Sequence, residues 1–353
     1  MNRFPRNPSC RLPPLPLQRY WDLAAAPVET AALDAALELD LFARLVAPAS
    51  AAHVAQALAL RPAAAEHLLD LLWSLRLLHR IAGEPALYRC GATARAHFVA
   101  GRPGYCGDAW RYRRRSLAQS GEQLMQRLRQ DPAAALATAP GAASEASGWA
   151  QAARVQIGQE QRVLAVAAAR EAVACVPGAA AARRILDLGG GPGLIGIALV
   201  QDRPQASGVV FDWAETAAVA RENIAAAGLA ERMVAVGGDL ATADIGAGYD
   251  LIWCSSVLHF VPDAAAAIRK MHDALAPGGL LVMAHAEVPD DADAAARVLR
   301  YYLPMLLLGR RVTRQGQLAQ ALRAAGFAEV RGFDSDRFPL APLHVLSARR
   351  TAP

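Results

Sequence analysis

The segment at residues 185–193, which reads ILDLGGGPG, constrains the fold of this chain more than any other. An apolar run ends in three consecutive glycines, and after Pro192 and Gly193 a helical stretch begins near Leu194. Glycine lets the backbone turn sharply and approach a ligand that any Cβ would exclude. The pattern therefore predicts a buried strand, a ligand-binding loop and the start of a helix.

The sequence around this segment alternates apolar runs with helical stretches. Strands are predicted at residues 184–188, 208–212, 233–236, 249–255, 280–285, 329–333 and 344–348. Helical stretches separate the first five strands, which favours a parallel sheet with helices on both faces. The last two strands follow each other without a helix, which favours an antiparallel hairpin at one edge. We therefore expect a Rossmann-like, doubly wound α/β domain with seven strands.

The first half of the chain is predicted to be helical. Leucines recur at positions 33, 37, 41 and 45, which is typical of one amphipathic helix over residues 30–45. Shorter helices are expected over residues 53–58 and from Pro62 onward, and a strand over residues 86–90. Three helices followed by a small β element indicate a winged-helix module.

Changes in composition predict the domain boundaries. Residues 1–16 carry several prolines and arginines and are interpreted as a flexible leader. Residues 17–130 form the helical winged-helix domain, and residues 131–148, rich in alanine, glycine, proline and serine, are interpreted as a linker. A long helix over about residues 149–176 then opens the α/β domain, which continues to residue 353.

Composition and charge narrow the range of partners. The chain has 353 residues, of which 54% are apolar and 20% charged, as expected for a globular protein of about two domains. The net charge is +5, basic residues cluster tightly only at residues 111–115, and the predicted helix at 62–78 exposes acidic side chains. This distribution disfavours nucleic-acid binding. Apolar runs fall short of the roughly 18 to 20 residues of a membrane span, so no membrane partner is expected.

Cysteine usage bears on the cellular compartment. The five cysteines are dispersed and form no CxxC pair, so neither a disulfide framework nor a zinc ribbon is predicted. The N-terminal segment lacks the apolar stretch of a secretory signal. Both features favour a reducing, cytoplasmic location.

Three acidic residues near the glycine loop bear on the ligand. Asp187 comes directly before the glycines, Asp212 closes the next predicted strand, and Asp239 follows the third strand. A carboxylate at the end of the second strand can accept hydrogen bonds from both ribose hydroxyls. One before the glycines suits a cationic ligand but repels a pyrophosphate. This ordered set favours S-adenosylmethionine beside the glycine backbone, Gly191 included.

A dinucleotide is the alternative ligand for the same loop. Residues 191–196 satisfy the GxGxxG pattern that is found in dinucleotide-binding sheets. Without the surrounding carboxylates this pattern alone would not distinguish the two cofactors.

Five short motifs carry a resemblance to a known family. They are LDLGGGPG (186–193), FDW (211–213), GGDL (237–240), YDLIWCSSVLH (249–259) and ALAPGG (274–279). Over about residues 17–350 the chain resembles the S-adenosylmethionine-dependent class I O-methyltransferases with an N-terminal winged-helix dimerisation domain. That group includes plant caffeate-type enzymes and bacterial enzymes of antibiotic and pigment pathways.

This resemblance implies both cofactor contacts and an assembly. The contacts fall on Gly189, Asp212, Asp239, Leu240 and Ser255. The implied assembly is a homodimer formed through the N-terminal domain, in which the helical domain of one subunit lies over the cleft of the other.

His259 is the candidate catalytic base. It follows the fourth predicted strand, and ligands of open α/β sheets bind at the carboxyl ends of the strands. A histidine with an ordinary pKa of about 6.5 suits proton removal from a hydroxyl at neutral pH. The resemblance places the family's catalytic base on the same residue. The alternative is a histidine that only satisfies backbone groups at a strand end.

The acidic partners that the resemblance implies for this base are missing. The fifth strand carries His285 where the family has an acid, and a second family glutamate aligns with Arg311 or Val312. Glu287, two residues after His285, is a candidate substitute because alternate residues of a strand share a face.

Three consequences of the missing acids are open. An acceptor with an acidic phenol needs little deprotonation, so positioning alone would suffice. Arg310 or Arg311 could bind a carboxylate of the substrate. His259, His285 and Glu287 could instead ligate a metal, although their spacing matches no known motif and no metal is expected.

Aromatic residues that follow the fifth strand or lie on the long helix are candidates for the acceptor pocket. They are Trp149, Tyr301, Tyr302 and Met305, with His285 and Arg311 as further substrate candidates. Aromatic acceptors stack on such side chains, although core packing explains the first four nearly as well.

The sequence predicts methyl transfer from S-adenosylmethionine to an oxygen of an aromatic secondary metabolite, either a phenolic hydroxyl or a carboxylate. N- or C-methylation is an alternative, as is a non-methyl reaction on the same fold, such as decarboxylation, hydroxylation or cyclisation. A third hypothesis is a non-enzymatic regulator that uses its winged helix.

Overall fold

The computed structural model describes residues 16–131, 142–335, 337–338 and 343–351. The chain divides into two compact units between Gly107 and Asp108. The predicted leader, apart from Pro16, lies outside the described residues.

The first unit contains five helices and a small sheet. The helices are α1 (Gln18–Glu38), α2 (Leu41–Arg44), α3 (Ala51–Ala57), α4 (Pro62–Ser74) and α5 (Ala92–His97). The strands are β1 (Ala49–Ser50), β2 (Leu78–Ile81) and β3 (Leu87–Cys90), in the order β1-β3-β2 with both pairs antiparallel. A bundle of helices with a small three-stranded antiparallel sheet is the winged-helix arrangement that the sequence predicts.

Local sequence explains where these helices begin. The Ser50 side chain accepts a hydrogen bond from the His53 N–H and so caps α3, and Pro62 occupies the first turn of α4. The predicted helix at residues 30–45 is broken, because Asp40 adopts a left-handed backbone conformation with φ +48° between α1 and α2. The leucine stripe nevertheless packs together, and Leu41 and Leu45 are fully buried.

The second unit opens with helices that extend beyond the predicted linker. They are α6 (Gly107–Glu122), α7 (Leu124–Arg129), α8 (Ala142–Ala152), α9 (Gly158–Glu160) and α10 (Val166–Ala174). Two π-helical segments, Ala153–Ile157 and Gln161–Ala165, join the last three into one continuous stretch. The predicted linker at residues 131–148 is therefore helical from Ala142 onward, and residues 132–141 lie outside the described part.

The boundary between the units lies earlier than the predicted one at residue 130. The Arg113 guanidinium binds both carboxylate oxygens of Glu160 at 2.7 and 2.8 Å, and the Ala109 N–H donates to the Gln159 side chain at 3.0 Å. These contacts join α6 to the long helical stretch of the second unit, which composition alone does not reveal.

A seven-stranded sheet forms the centre of the second unit. Its strands are β4 (Arg184–Leu188), β5 (Ser207–Asp212), β6 (Met233–Gly237), β7 (Tyr249–Ser255), β8 (Leu275–His285), β11 (Phe327–Ser335) and β12 (Leu343–Arg350). Their order is β11-β12-β8-β7-β4-β5-β6, with the first five in the chain parallel and β12 antiparallel to both neighbours. The predicted doubly wound sheet and terminal hairpin are confirmed.

Helices cover both faces of this sheet. They are α11 (Leu194–Gln201), α12 (Ala214–Ala226), α13 (Ala264–Ala274), α14 (Ala292–Leu307) and α15 (Gln317–Ala324). Two further short strands, β9 (Glu287–Val288) and β10 (Thr313–Arg314), pair in parallel beyond the end of β8. Separate apolar clusters lie on the two sides of the sheet, one around Val210 and Val282 and the other around Ile252 and Met283.

In the described part of the chain, helices are too short or too polar to cross a membrane.

Candidate active site

The glycine loop between β4 and α11 has a backbone that only glycine adopts readily. Gly189, Gly191 and Gly193 have φ values of +66°, +59° and +78°. A Cβ at Gly189 would lie 2.2 Å from a methyl of Val257, which follows β7. The loop is thus packed against the end of the neighbouring strand, at the carboxyl edge of the sheet where α/β proteins bind ligands.

Asp187 lies inside the loop and not on its surface. Its side chain is 1% exposed and accepts a hydrogen bond from the Gly196 N–H at 2.8 Å. A Cβ at Gly190 or Gly196 would lie within 3 Å of the same carboxyl group. Burial raises the pKa of Asp187 to about 7, against the effect of the Gly196 hydrogen bond. We therefore assign Asp187 to the support of the loop, since so buried a group offers a ligand almost no surface.

Asp212 ends β5 beside the loop. Its two carboxylate oxygens accept hydrogen bonds from the Gly191 and Trp213 N–H groups, each at 2.8 Å, and the side chain is half-buried. Burial raises the pKa of Asp212 while these two hydrogen bonds lower it. Each oxygen keeps a second lone pair, so the carboxylate can still accept hydroxyl donors of a ligand.

The other predicted cofactor residues lie at the ends of neighbouring strands. Asp239 follows β6, is half-buried and accepts a hydrogen bond from the Ala241 N–H at 2.9 Å. Leu240 is 9% exposed, and its carbonyl accepts a hydrogen bond from the Lys270 ammonium at 2.7 Å. Ser255 is the last residue of β7 and is half-buried.

Gln161 was not among the sequence predictions and holds the glycine loop from a π-helical segment. Its amide nitrogen donates to the Gly190 carbonyl at 3.0 Å, and its amide oxygen accepts from the Leu194 N–H at 3.1 Å. A Cβ at Gly191 would lie 3.6 Å from both Gln161 and Ile157. π-Helical turns occur often at functional sites. No local pattern marks Gln161, because its partners are about 30 residues away in the sequence.

His259 lies in a turn after β7 that His285 stabilises. The Val257 and Leu258 N–H groups donate to Nε2 of His285, the last residue of β8, at 3.0 and 3.1 Å. The Phe260 N–H closes the turn on the Val257 carbonyl at 2.9 Å. His259 is 8% exposed and His285 is 3% exposed, so both imidazoles are buried.

Aromatic rings from separate elements surround His259. The ring centroids of Phe260 and Tyr302 lie 4.3 and 5.7 Å from the imidazole, and that of His285 lies 6.4 Å away. Trp149 of α8 packs edge-on against Phe260 at 4.9 Å. The structure thus places three of the predicted site residues, Trp149, Tyr302 and His285, in one cluster with His259. Phe260 was not predicted, and its signal in the sequence is its position next to His259.

The electrostatic surroundings keep His259 neutral. Burial and the nearby Arg310 guanidinium lower the pKa of His259 to about 4. Arg310 lies 5.3 Å from the centre of the Phe260 ring and donates to the Phe260 carbonyl at 3.2 Å. Burial and His259 lower the pKa of His285 to about 3. Both imidazoles are therefore uncharged at neutral pH.

Glu287 does not substitute for the missing acid. Although it is buried, its carboxylate accepts hydrogen bonds from the Leu318 and Gly316 N–H groups at 3.0 and 3.2 Å and from the Thr313 hydroxyl at 3.4 Å. These donors belong to β10 and to the start of α15. Glu287 therefore caps a helix, and the expectation that it orients the base is wrong.

The remaining substrate candidates are Met305, Tyr301 and Arg311. Met305 and Tyr301 are half-buried and pack against the apolar core of the sheet, and Arg311 is exposed. No group of three or more His, Cys, Asp or Glu residues suited to a metal ion is found among the described residues.

The loop and its surroundings fit S-adenosylmethionine. The glycines bring a loop backbone without side chains of its own to the carboxyl edge of the sheet, Asp212 offers lone pairs for a ribose, and Asp239 lies at the next strand end. With a seven-stranded sheet whose last strand is antiparallel, these features define the class of the protein, a class I methyltransferase that uses S-adenosylmethionine.

Comparison with known proteins then gives the family. The sequence model of the methyltransferase domain matches residues 186–281, and that of the O-methyltransferase dimerisation domain matches residues 21–100. A relative from Streptomyces sahachiroi, 3-hydroxy-5-methyl-1-naphthoate 3-O-methyltransferase, is 30% identical over 316 residues, covering 88% of this chain and 89% of that protein. The chain therefore belongs to the S-adenosylmethionine-dependent O-methyltransferases with an N-terminal dimerisation domain.

Two other similar proteins have different named activities. Human N-acetylserotonin methyltransferase, solved with S-adenosylmethionine, superposes with a TM-score of 0.74 at 20% identity, covering 95% of this chain and 97% of that one. Aclacinomycin 10-hydroxylase from Streptomyces purpurascens is 33% identical over 161 residues, which is 42% of this chain and 40% of that protein.

Proposed function

We propose that the chain transfers the methyl group of S-adenosylmethionine to an oxygen of an aromatic acceptor, with His259 as the general base. The observation that carries this proposal is a buried, neutral imidazole among aromatic rings, directly beside the cofactor loop. Val257, two residues before His259, is the residue that a Cβ at Gly189 would strike. Base and loop are therefore neighbours at the carboxyl edge of the sheet.

The residues of the loop would hold the cofactor. In this proposal the Gly189 and Gly191 backbone, Asp212 and Asp239 form its contacts, and Asp187 and Gln161 support the loop. When bound, S-adenosylmethionine supplies a methyl group on a positively charged sulfur, which an oxygen nucleophile can attack. His259 accepts the hydroxyl proton at a ring nitrogen, since its lowered pKa of about 4 keeps that nitrogen free at neutral pH. The buried surroundings exclude water from this proton transfer.

The aromatic cluster supports an aromatic acceptor. Trp149, Phe260 and Tyr302 present rings around the base, and such rings bind flat, conjugated molecules by stacking and edge contacts. The naphthoate named for the Streptomyces sahachiroi relative is a molecule of this class. We infer that the acceptor is an aromatic secondary metabolite that bears a hydroxyl or a carboxylate.

We further propose that the chain works as a homodimer through its N-terminal unit. The match to the dimerisation domain supports this assembly. Tyr20, Trp21 and Leu23 of α1 are 64%, 66% and 65% exposed, and aromatic and aliphatic side chains left in water favour burial against a partner.

An alternative function keeps the fold and the cofactor but changes the reaction. In the described part of the chain no acid is found beside the base, because Glu287 is engaged with α15. A partial relative is named as a hydroxylase. A reaction without methyl transfer would leave S-adenosylmethionine intact, whereas methylation converts it to S-adenosylhomocysteine.

The test is a screen of hydroxynaphthoates, phenols and aromatic amines with S-adenosylmethionine labelled in its methyl group. The proposal expects label in an O-methyl product and one S-adenosylhomocysteine released for each product. Label on carbon or nitrogen would favour the alternative methylations. A product without label, formed while the cofactor persists, would overturn the proposal.

A further inference from the structure

His285 holds the turn that carries the base with a single ring nitrogen. Nε2 accepts from two backbone N–H groups, those of Val257 and Leu258, at 3.0 and 3.1 Å. A nitrogen that accepts hydrogen bonds carries a lone pair, so the proton of the neutral ring belongs on Nδ1, an assignment made from the hydrogen-bond pattern. Nδ1 is buried and has no hydrogen-bond partner among the described residues.

The turn contains an unfavourable backbone conformation that its contacts with β8 must hold. Ser256, which begins it, has a φ of +55°, a conformation that is unfavourable for a residue with a side chain. The Ser256 N–H is bonded to the Ala284 carbonyl at 3.0 Å, so β8 supports the turn through two consecutive residues. Val257 and Leu258 are the two residues directly before His259. Loss of the His285 acceptor would leave their N–H groups without that hydrogen-bond partner, which is costly.

The neutral ring also determines the charge around the base. In the described part of the chain, the titratable or charged groups found beside His259 are His285 from β8, Tyr302 from α14 and Arg310 from the segment after α14. Tyr302 is a buried phenol whose pKa is raised by that burial. The surroundings thus contain one cation and two neutral groups.

We propose that His285 is the positioning residue of the base: its Nε2 fixes the turn that carries His259, and its ring brings no negative charge to the base, which confines the enzyme to acceptors whose hydroxyl is already acidic. This inference rests on the proposed function. A base without an acidic partner gains little help as it becomes charged, and the Arg310 guanidinium beside it opposes that charge. The same guanidinium favours an acceptor oxygen that is already negative.

The first test needs no substrate. Nitrogen-15 NMR of the full chain with labelled histidine, saturated with S-adenosylhomocysteine, reports which ring nitrogen carries a proton. We expect His285 to keep an unprotonated, hydrogen-bonded Nε2 and a protonated Nδ1 from pH 5 to 8. A His285 ring that bears a proton on Nε2 in this range would overturn the proposal.

The second test separates positioning from packing. His285→Gln retains an acceptor oxygen for the turn, whereas His285→Leu fills a similar space without one. We expect His285→Leu to lower kcat at least 10-fold at nearly constant acceptor KM, and His285→Gln to recover most of that loss. Both variants should bind S-adenosylhomocysteine within about threefold of the wild type in calorimetry, which also reports folding. Equal turnover of the two variants would contradict the positioning role.

The third test measures acceptor class. The probes are 1-naphthol and 1-naphthols with chloro or nitro substituents, which grade the acidity of the hydroxyl on one ring system. We expect kcat/KM to rise at least 10-fold from the least to the most acidic hydroxyl, and the rise to flatten in His285→Glu, where a carboxylate replaces the neutral ring. If kcat/KM of the wild type did not change along the series, the inference would be wrong and the proposed function would still stand. Failure to methylate any aromatic acceptor would count against the proposed function, and the NMR result would still decide the role of His285.

Discussion

The carboxylate of Glu287 accepts a hydrogen bond from the Leu318 N–H at 3.0 Å, 31 residues further along the chain. It also accepts one from the Gly316 N–H, so a single side chain satisfies two of the free N–H groups at the start of α15. A negative charge at a helix N-terminus is further stabilised by the helix dipole. The residue that sequence reasoning offered as a partner of the base is thus a structural cap.

Glu287→Gln should therefore lower stability and leave the chemistry alone. The amide keeps one acceptor oxygen but presents its NH₂ group to a backbone N–H, so we expect a loss of about 1–3 kcal/mol in the free energy of unfolding. The pH dependence of kcat/KM should not move. Denaturant unfolding and a pH–rate profile check both points, with Glu171→Gln at an exposed ion pair as the matched control. A shifted profile would restore Glu287 as a partner of the base.

His259→Ala should reduce kcat by about 10²-fold or more, because the substitution removes the group that accepts the hydroxyl proton. Affinity for S-adenosylhomocysteine should stay within about twofold, since the predicted cofactor contacts lie on other residues. Calorimetry and steady-state kinetics measure the two quantities. His272→Ala, which removes an imidazole packed edge-on against Phe327, serves as control. Turnover equal to that of the wild type would exclude His259 as the base.

The pH dependence of the wild type should reflect the lowered pKa of His259. Only the neutral imidazole accepts a proton, and with a pKa of about 4 it stays neutral as the pH falls from 8 to about 5. We therefore expect no loss of kcat/KM from protonation of the base in this range and a decline only below it. An ordinary histidine would lose activity near pH 6.5. A decline centred there, absent for an acceptor that is ionised throughout, would contradict the described environment.

Gln161→Leu should weaken the cofactor loop. The change leaves the Gly190 carbonyl and the Leu194 N–H without their partner, and each lost hydrogen bond contributes about 1 kcal/mol. With this cost of about 2 kcal/mol in the bound form, affinity for S-adenosylhomocysteine should drop about 30-fold, as measured by calorimetry. Arg162→Ala, at an exposed position of the same π-helical segment, is the matched control. Unchanged affinity together with unchanged stability would show that the loop keeps its shape without Gln161.

Asp187→Asn should change how stability depends on pH. The pKa of Asp187 is raised from 3.8 to about 7 in the folded chain, so the folded state holds a proton that the unfolded state releases. This contribution to stability is fully present below pH 3.8 and is lost as the pH rises through about 7. The wild-type Tm should therefore fall between pH 5 and 8 more steeply than that of the variant.

Scanning calorimetry of both proteins at several pH values tests this prediction. Asp202→Asn, at an exposed ion pair with Arg170, provides a matched substitution. Parallel curves for wild type and Asp187→Asn would show that the buried carboxyl does not retain its proton on folding.

Local patterns in the sequence were sufficient to predict the architecture of the second unit. The strand at 184–188, the glycines after it and the strand at 249–255 were predicted at the positions where the structure has them, because buried strands and sharp turns leave signals in consecutive residues. The position of His259 at a strand end followed from the same signals. The break at Asp40 did not, since a leucine stripe continues across it.

The sequence by itself thus determined the fold class, the glycine loop and the position of His259 at the end of a strand. Only the tertiary structure decided that His285 holds the turn of His259, that Gln161 holds the loop and that Glu287 faces α15. Each of these contacts joins residues about 30 positions apart. The packing of strands and helices decides which buried side chain contacts a given backbone group. A pattern among neighbouring residues cannot predict such a contact.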